Sequence, residues 1–303
     1  MFAVTHPCDV RHIDTPATRN GGGYGIIIVE MPFTLSHAAA VVPLRRTRLV
    51  WSALVIGSFG PDFQYFFFMS YDSRSWHHYP DLYRYCFPFL FAAFLLFQVA
   101  IKKPVAGLLP VALQRRIDVS RSYVPKSIGD FLLVVLSLAI GLGSHLLWDS
   151  FTHPLSWAWA HIAFLRRPMA VPGEPHGYGY VAAQMFSTLF GFFVLLVMFI
   201  VWWRRTAPVH PSVFSLSWRA KLAIWIEIAI LTIGGGIWRA SVLVGPFWLR
   251  VHWDYFQIIA VISAIGWLCW ELLAYGLLLN YAMFRAKREG AHSGAPLVGK
   301  TWD

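Results

Sequence analysis

The chain has 303 residues, 57% of them hydrophobic and only 13% charged, with mean hydropathy +0.54 and a formal net charge of +10. A soluble domain carries roughly 25% charged residues, so this balance excludes an ordinary soluble enzyme and points to a membrane protein rich in interfacial aromatics. The basic residues lie in short segments between apolar runs, which fits topology and anionic lipid headgroups and argues against nucleic acid, while Cys8, Cys86 and Cys269 form no CxxC pair that could build a disulfide framework or a thiolate zinc site.

Residues 1–24 are polar, with His6, Asp9, Arg11, Asp14 and Arg19, and the apolar stretch 26–29 is too short for a signal-peptide core. Organised sequence starts at Met31-Pro32-Phe33, so residues 1–30 read as a disordered or spurious extension, 31–289 as one membrane-embedded helical domain, and 290–303 as a disordered tail. A spanning helix needs about 20 mostly apolar residues. The runs that qualify are 49–69, 86–101, 131–151, 180–203, 222–244 and 255–284. Pro61 should end the first near Gly60, because proline disfavours helix at the residue before it. The second is short unless it extends back toward Leu82, and the last is longer than one crossing needs. Residues 104–117 read as a basic interfacial helix with Leu108, Leu109, Val111 and Leu113 toward lipid. The Pro- and Gly-rich stretch 154–179 reads as a long loop of the lid or binding type.

Only helices and closed barrels span a bilayer, so the fold class is all-α: a polytopic integral membrane bundle of about six membrane segments plus a short N-terminal helical hairpin arm. Arginines and lysines concentrate around 45–48, 102–126, 204–221 and 285–288. Those segments are expected on the cytoplasmic side of a bacterial inner membrane, with 70–85, 152–180 and 245–254 on the outer face.

Chemistry concentrates in His145-Leu146-Leu147-Trp148-Asp149-Ser150-Phe151-Thr152-His153, where three metal-competent side chains recur every four residues at the end of an apolar run. Residues four apart on a helix rise about 6 Å and share a face, so His145 and Asp149 can hold one ion; His145 and His153 are separated by about 12 Å and cannot. His153 then serves a second metal, acts as a general base, or caps the helix before Pro154. If 36–42 and the first run form a hairpin turning at 44–47, His37 and Asp62 meet at one end, close to His77 and His78. Nitrogen and carboxylate donors suit zinc or manganese, and also iron. Asp62, His77, His145 and Asp149 are the expected ligands, with His37 and His153 handling protons or supporting them. The alternative is a polar belt that packs helices or binds lipid headgroups without catalysis; the recurrence of ligand types at one depth favours a shared site. A transporter lacks support, since no inverted repeat is visible. Among other charges, Glu227 is expected to snorkel or pair with Lys221, Glu271 needs a partner, and Arg239, Arg250, His252 and Asp254 suggest an ion-pair network. Arg166 and Arg167 suggest a solvated pair or a phosphate grip.

Met31-Pro32-Phe33-Thr34-Leu35-Ser36-His37-Ala38-Ala39, then 52–58 running into Pro61-Asp62-Phe63, resembles the opening of the DUF4184 family, and 144–153 resembles its second hallmark; Gln184 to Gly191 is also similar. The family is uncharacterised, so the resemblance implies architecture. It is also distantly similar to membrane-bound proteins labelled metal-dependent hydrolases, which share an early His, a Pro-Asp turn, a following His and a later His-Leu-Leu-x-Asp element. That likeness implies His37, Asp62, His77 and the pair His145 and Asp149 as site residues. The clustering of ligand types at one depth leads to the expectation of a metal-dependent hydrolase at the outer face, acting on a lipid-linked or phosphoester compound. His77 is preferred over His78 from the position of Pro80.

Overall fold

Apolar length decides the architecture. The computed structural model describes residues 34–70, 75–77, 79–119, 122–172, 175, 177–209, 216–246 and 253–293. The expectations for 1–30, Met31 to Phe33, His78, Arg250, His252 and the 294–303 tail lie outside the described residues. Within them the chain is helical, and an antiparallel bridge joins Pro168 to Tyr178. Five helical stretches, Leu82–Leu108, Ile128–His161, Gly179–Arg205, Trp218–Val244 and Tyr255–Glu289, are long and apolar enough to cross a membrane.

The N-terminal arm is a hairpin, as the sequence suggests. A 3-10 turn, Thr34–His37, leads into α1 (Ala38–Val41), and a second 3-10 turn, Val42–Arg46, closes with the Thr47 N–H on the Leu44 carbonyl. The first expected span does not form one rod. It divides into α2 (Trp51–Ser58), a 3-10 turn at Gly60–Asp62, and α3 (Phe63–Phe68). Pro61 lacks a backbone N–H, so the α ladder cannot run through it. The interruption leaves Asp62 at a bend, deep in the structure. The second span does extend back to Leu82: a π-helical turn, α4 (Phe87–Leu96), a second π turn and α5 (Lys102–Leu108) form one continuous stretch.

The expected interfacial helix over 104–117 is not formed as one element. Leu109 adopts an extended backbone before Pro110, and α6 (Val111–Gln114) follows as a separate turn. The Gln114 amide pins it by donating to the carbonyls of Ala106 and Gly107. Leu108 is fully buried instead of facing lipid, and Trp225 Nε1 donates to its carbonyl at 3.2 Å. α7 (Ile128–Thr152) opens on a capping box between Ser127 and Asp130, which satisfies N-terminal backbone N–H groups three residues before the apolar run begins. The stretch 154–179 is partly helical, with α8 (Trp157–His161) and α9 (Ala163–Arg166). α10 (Gly179–Arg205), α11 (Trp218–Val244) and α12 (Trp253–Ser293) complete the chain.

Two packing arrangements position the site. α2 lies against α7 at near backbone contact: a Cβ added to Gly57 would stand 2.4 Å from the Leu138 carbonyl oxygen, and one on Gly141 would stand 2.3 Å from that of Leu54. Small residues allow such close approach between membrane helices, where dispersion and hydrogen bonding replace the hydrophobic effect. Ala53, Leu90, Phe94, Val134, Leu138 and Leu142 fill the core around this seam. Farther along, Tyr65 and Phe66 of α3 pack on Ile262 of α12.

Candidate metal centre

Four separate segments deliver imidazoles and carboxylates to one point. The 3-10 turn before α1 carries His37, the bend after α2 carries Asp62, the 3-10 turn Ser75–His77 carries His77, and the last turns of α7 carry His145 and Asp149. His153 follows as the C-cap of α7. All six residues singled out from the sequence therefore lie together.

His145 is the pivot. Its Nδ1 lies 2.9 Å from the Ser58 carbonyl oxygen, which can only accept, so Nδ1 carries the proton. The close α2–α7 contact at Gly57 and Gly141 is what brings that carbonyl within reach. Nε2 then faces Asp149 Oδ2 at 3.0 Å and Asp62 Oδ1 at 3.7 Å. A lone pair aimed at two carboxylates needs a cation between them, either a proton or a metal. His77 Nε2 lies 3.6 Å from Asp62 Oδ1 and 3.7 Å from Asp149 Oδ2. For bonds of about 2.0–2.2 Å, the edges of a tetrahedron of ligands measure about 3.3–3.6 Å. The four distances among Asp62, His77, His145 and Asp149 fall around that range, and ligand atoms of Asp62, His77 and His145 all lie within 4.8 Å of one another.

His37 makes a second, overlapping group with His145 and Asp149. Its ring stacks on His145 at 4.2 Å between centroids, with Trp148 edge-on, and its Nε2 lies 3.6 Å from Asp149 Oδ1. His153 Nδ1 approaches the same oxygen at 3.7 Å and Thr152 Oγ1 at 3.2 Å. His37 Nε2, His145 Nε2 and Asp149 Oδ1 are buried and meet no hydrogen-bond partner among the described residues. Buried polar atoms are nearly always satisfied, so this concentration of orphaned donor atoms suits a metal ion.

His37 and Asp62 lie outside the five spans, and their electrostatics match ligand states. Burial, reinforced by the neighbouring His145, pushes the His37 imidazole down to about 4, which keeps it neutral. Burial alone would raise the Asp62 carboxyl, but the neighbouring His145, and after it His77, outweigh burial and hold the group below the usual carboxylate range. A neutral imidazole and an ionised carboxylate are the forms that bind metal.

The site has an open side. His37 and His145 are fully buried, whereas the side chains of His77 and His153 are 17% and 32% exposed. Access is therefore past the short turn 75–77 and the end of α7. Two supporting residues were not legible in advance. Thr34 Oγ1 donates to Asp62 Oδ2 at 2.8 Å, leaving Oδ1 to face the histidines. Gln64, buried on α3, accepts the Trp76 N–H at 2.9 Å and so anchors the turn that presents His77. Thr34 stands one helical turn before His37, a spacing that could have suggested a shared face; the Gln64 contact leaves no sequence pattern.

Three of the remaining charged residues meet structural partners. Lys221 Nζ donates to the Leu109 carbonyl at 2.8 Å, so it ties α11 to the end of α5 and the expected pairing with Glu227 is not seen. Glu271 accepts from Thr232 Oγ1 at 3.0 Å across the α11–α12 hairpin. Arg166 lies over the Trp159 ring at 6.0 Å.

No curated protein and no solved structure matches the chain. A family model described as a domain of unknown function matches residues 31–277, and the chain accordingly belongs to the DUF4184 family.

Proposed function

We propose that this protein is a membrane-bound metal-dependent hydrolase whose centre binds zinc or manganese through Asp62, His77, His145 and Asp149. The observation that carries the reading is the fixed tautomer of His145: with Nδ1 committed to the Ser58 carbonyl, Nε2 faces two carboxylates at 3.0 and 3.7 Å, and His77 has a ligand atom within 4.8 Å of it. A divalent ion held there supplies Lewis acidity toward a phosphoryl or acyl oxygen and acidifies water.

The chain's own groups then divide the work. Asp62 and Asp149 supply negative charge and are held by Thr34 and the histidine ring cluster. His37, deeply buried and stacked on His145, keeps that ring in place. His153 lies on the accessible side; with Nδ1 turned to Thr152 and Asp149, its Nε2 is the nitrogen left to take a proton from water or return one to a leaving group. A centre at the end of a membrane helix, open past 75–77, favours a substrate that arrives from the interface, and a lipid-linked phosphoester fits. Positive charge at the opposite ends of the spans supports placing the centre on the outer face of an inner membrane.

The test is turnover of a chromogenic phosphodiester and a chromogenic carboxylic ester by the detergent-purified chain, before and after chelation. Metal-restored phosphodiester turnover that disappears in His145→Ala supports the reading. A chain that retains stoichiometric metal yet turns over neither substrate argues for a non-catalytic metal protein. A chain that binds no metal argues for a polar belt held by protons.

A further inference from the structure

At the other end of α7 lies a cavity of about 660 Å³ unrelated to the metal centre. Asp130, on its wall, precedes Asp149 by 19 residues of one helix, which at the helical rise is about 28 Å. Arg48, Lys102 and Lys126 line the cavity together with the carboxylate of Asp130, and Asp118 stands near Lys102. Asp130 Oδ2 accepts the backbone N–H groups of Lys126 at 3.1 Å and Ser127 at 3.2 Å, which holds it in the capping box of α7 with its charge intact. Three cations against these two carboxylates leave a net positive charge at the cavity.

Its floor is built, not incidental. Gln98, almost wholly buried, donates through Nε2 to Ser52 Oγ at 2.7 Å and accepts the Tyr123 N–H at 3.2 Å, locking the π-helical turn, α2 and the segment before α7 together. Trp51 and Phe97 give the same cavity an apolar wall. A lining that combines cations, hydroxyl and amide groups with aromatic rings calls for an anion attached to something apolar. A guanidinium beside two ammonium groups matches phosphate oxygens.

We propose that this cavity binds a phosphate-bearing anion, and that an anionic phospholipid of the leaflet at the basic end of the bundle supplies it. The headgroup phosphate lies among Arg48, Lys102 and Lys126, and the glycerol and upper acyl carbons lie on Trp51 and Phe97. A soluble phosphate would use the same cations without the aromatic wall.

Native mass spectrometry of the delipidated full-length chain, titrated with phosphatidylglycerol or phosphatidylcholine, reads the lipid arm; calorimetry with inorganic phosphate reads the soluble arm. The expected result is one phosphatidylglycerol adduct that saturates ahead of phosphatidylcholine and is weakened about thirtyfold by Arg48→Gln with Lys126→Gln, given roughly fivefold per interfacial charge. Removing the same charge outside the cavity, by Arg204→Gln with Arg205→Gln, should leave the adduct unchanged, and Arg48→Lys with Lys126→Arg should keep it. Saturable heat with inorganic phosphate, lost in the Arg48 and Lys126 pair without any lipid preference, would reassign the source to a soluble phosphate compound and overturn the lipid. Equal loss in both Gln pairs, or binding that does not distinguish the two lipids and no heat with phosphate, would overturn the site itself.

Discussion

Asp149 on α7 and Glu271 on α12 are both carboxylates carried by apolar helices, and their surroundings differ in kind. Asp149 has His145 at 3.0 Å from one oxygen, with His77 beside it, and His37 and His153 at 3.6 and 3.7 Å from the other. Glu271 has a hydroxyl, Thr232, on one oxygen and no hydrogen-bond partner on the other among the described residues. The chain around Asp149 comes from four segments far apart in sequence, whereas Glu271 is met by the neighbouring strut of a hairpin. Ligand types that converge on an ionisable residue of an apolar helix thus make a group that could hold a metal ion, whereas a single hydroxyl makes a contact between helices.

Each prediction strains that contrast. Asp149→Ala should weaken metal binding by more than about 100-fold, read by competition with a chromogenic chelator, since loss of even an outer partner costs about 10–100-fold; retained affinity would place the two carboxylates in one class. Gly141→Ala should destabilise the chain by about 1–3 kcal/mol in detergent unfolding, because its Cβ meets the Leu54 carbonyl. The same change should lower metal affinity by pulling Ser58 from His145, which a purely mechanical contact would not do. Thr34→Val should cost about tenfold in metal affinity with little change in unfolding, as Asp62 loses the donor that orients it. Glu271→Gln should leave metal content unchanged and alter stability by less than about 1 kcal/mol, the scale of hydrogen bonds between membrane helices.

Much of this contrast could be read from residue spacing. His145 and Asp149 share a face at four residues apart, and the Pro61 break with the 44–47 turn brings His37 and Asp62 to the same end. What pattern alone could not show is backbone: the Ser58 carbonyl that fixes the His145 tautomer depends on how closely two glycines allow helices to approach. The Gln64 contact to the Trp76 N–H joins α3 to the short turn 75–77, and no sequence periodicity links the two. The break at Leu109 was hidden because a run of apolar residues before Pro110 suits an interfacial helix as well as a buried end. The capping box at Ser127 and Asp130 was present in the sequence, but the apolar run that begins later set the expected start of α7 too far along.

The central claim is tested most directly by zinc X-ray absorption and metal content on the purified chain, wild type beside His145→Ala. The account predicts stoichiometric zinc in the wild type, with imidazole nitrogen and carboxylate oxygen at about 2.0–2.2 Å, and its loss in the variant. A wild-type chain that retains no zinc or manganese after loading, or zinc whose environment is unchanged by His145→Ala, would contradict it.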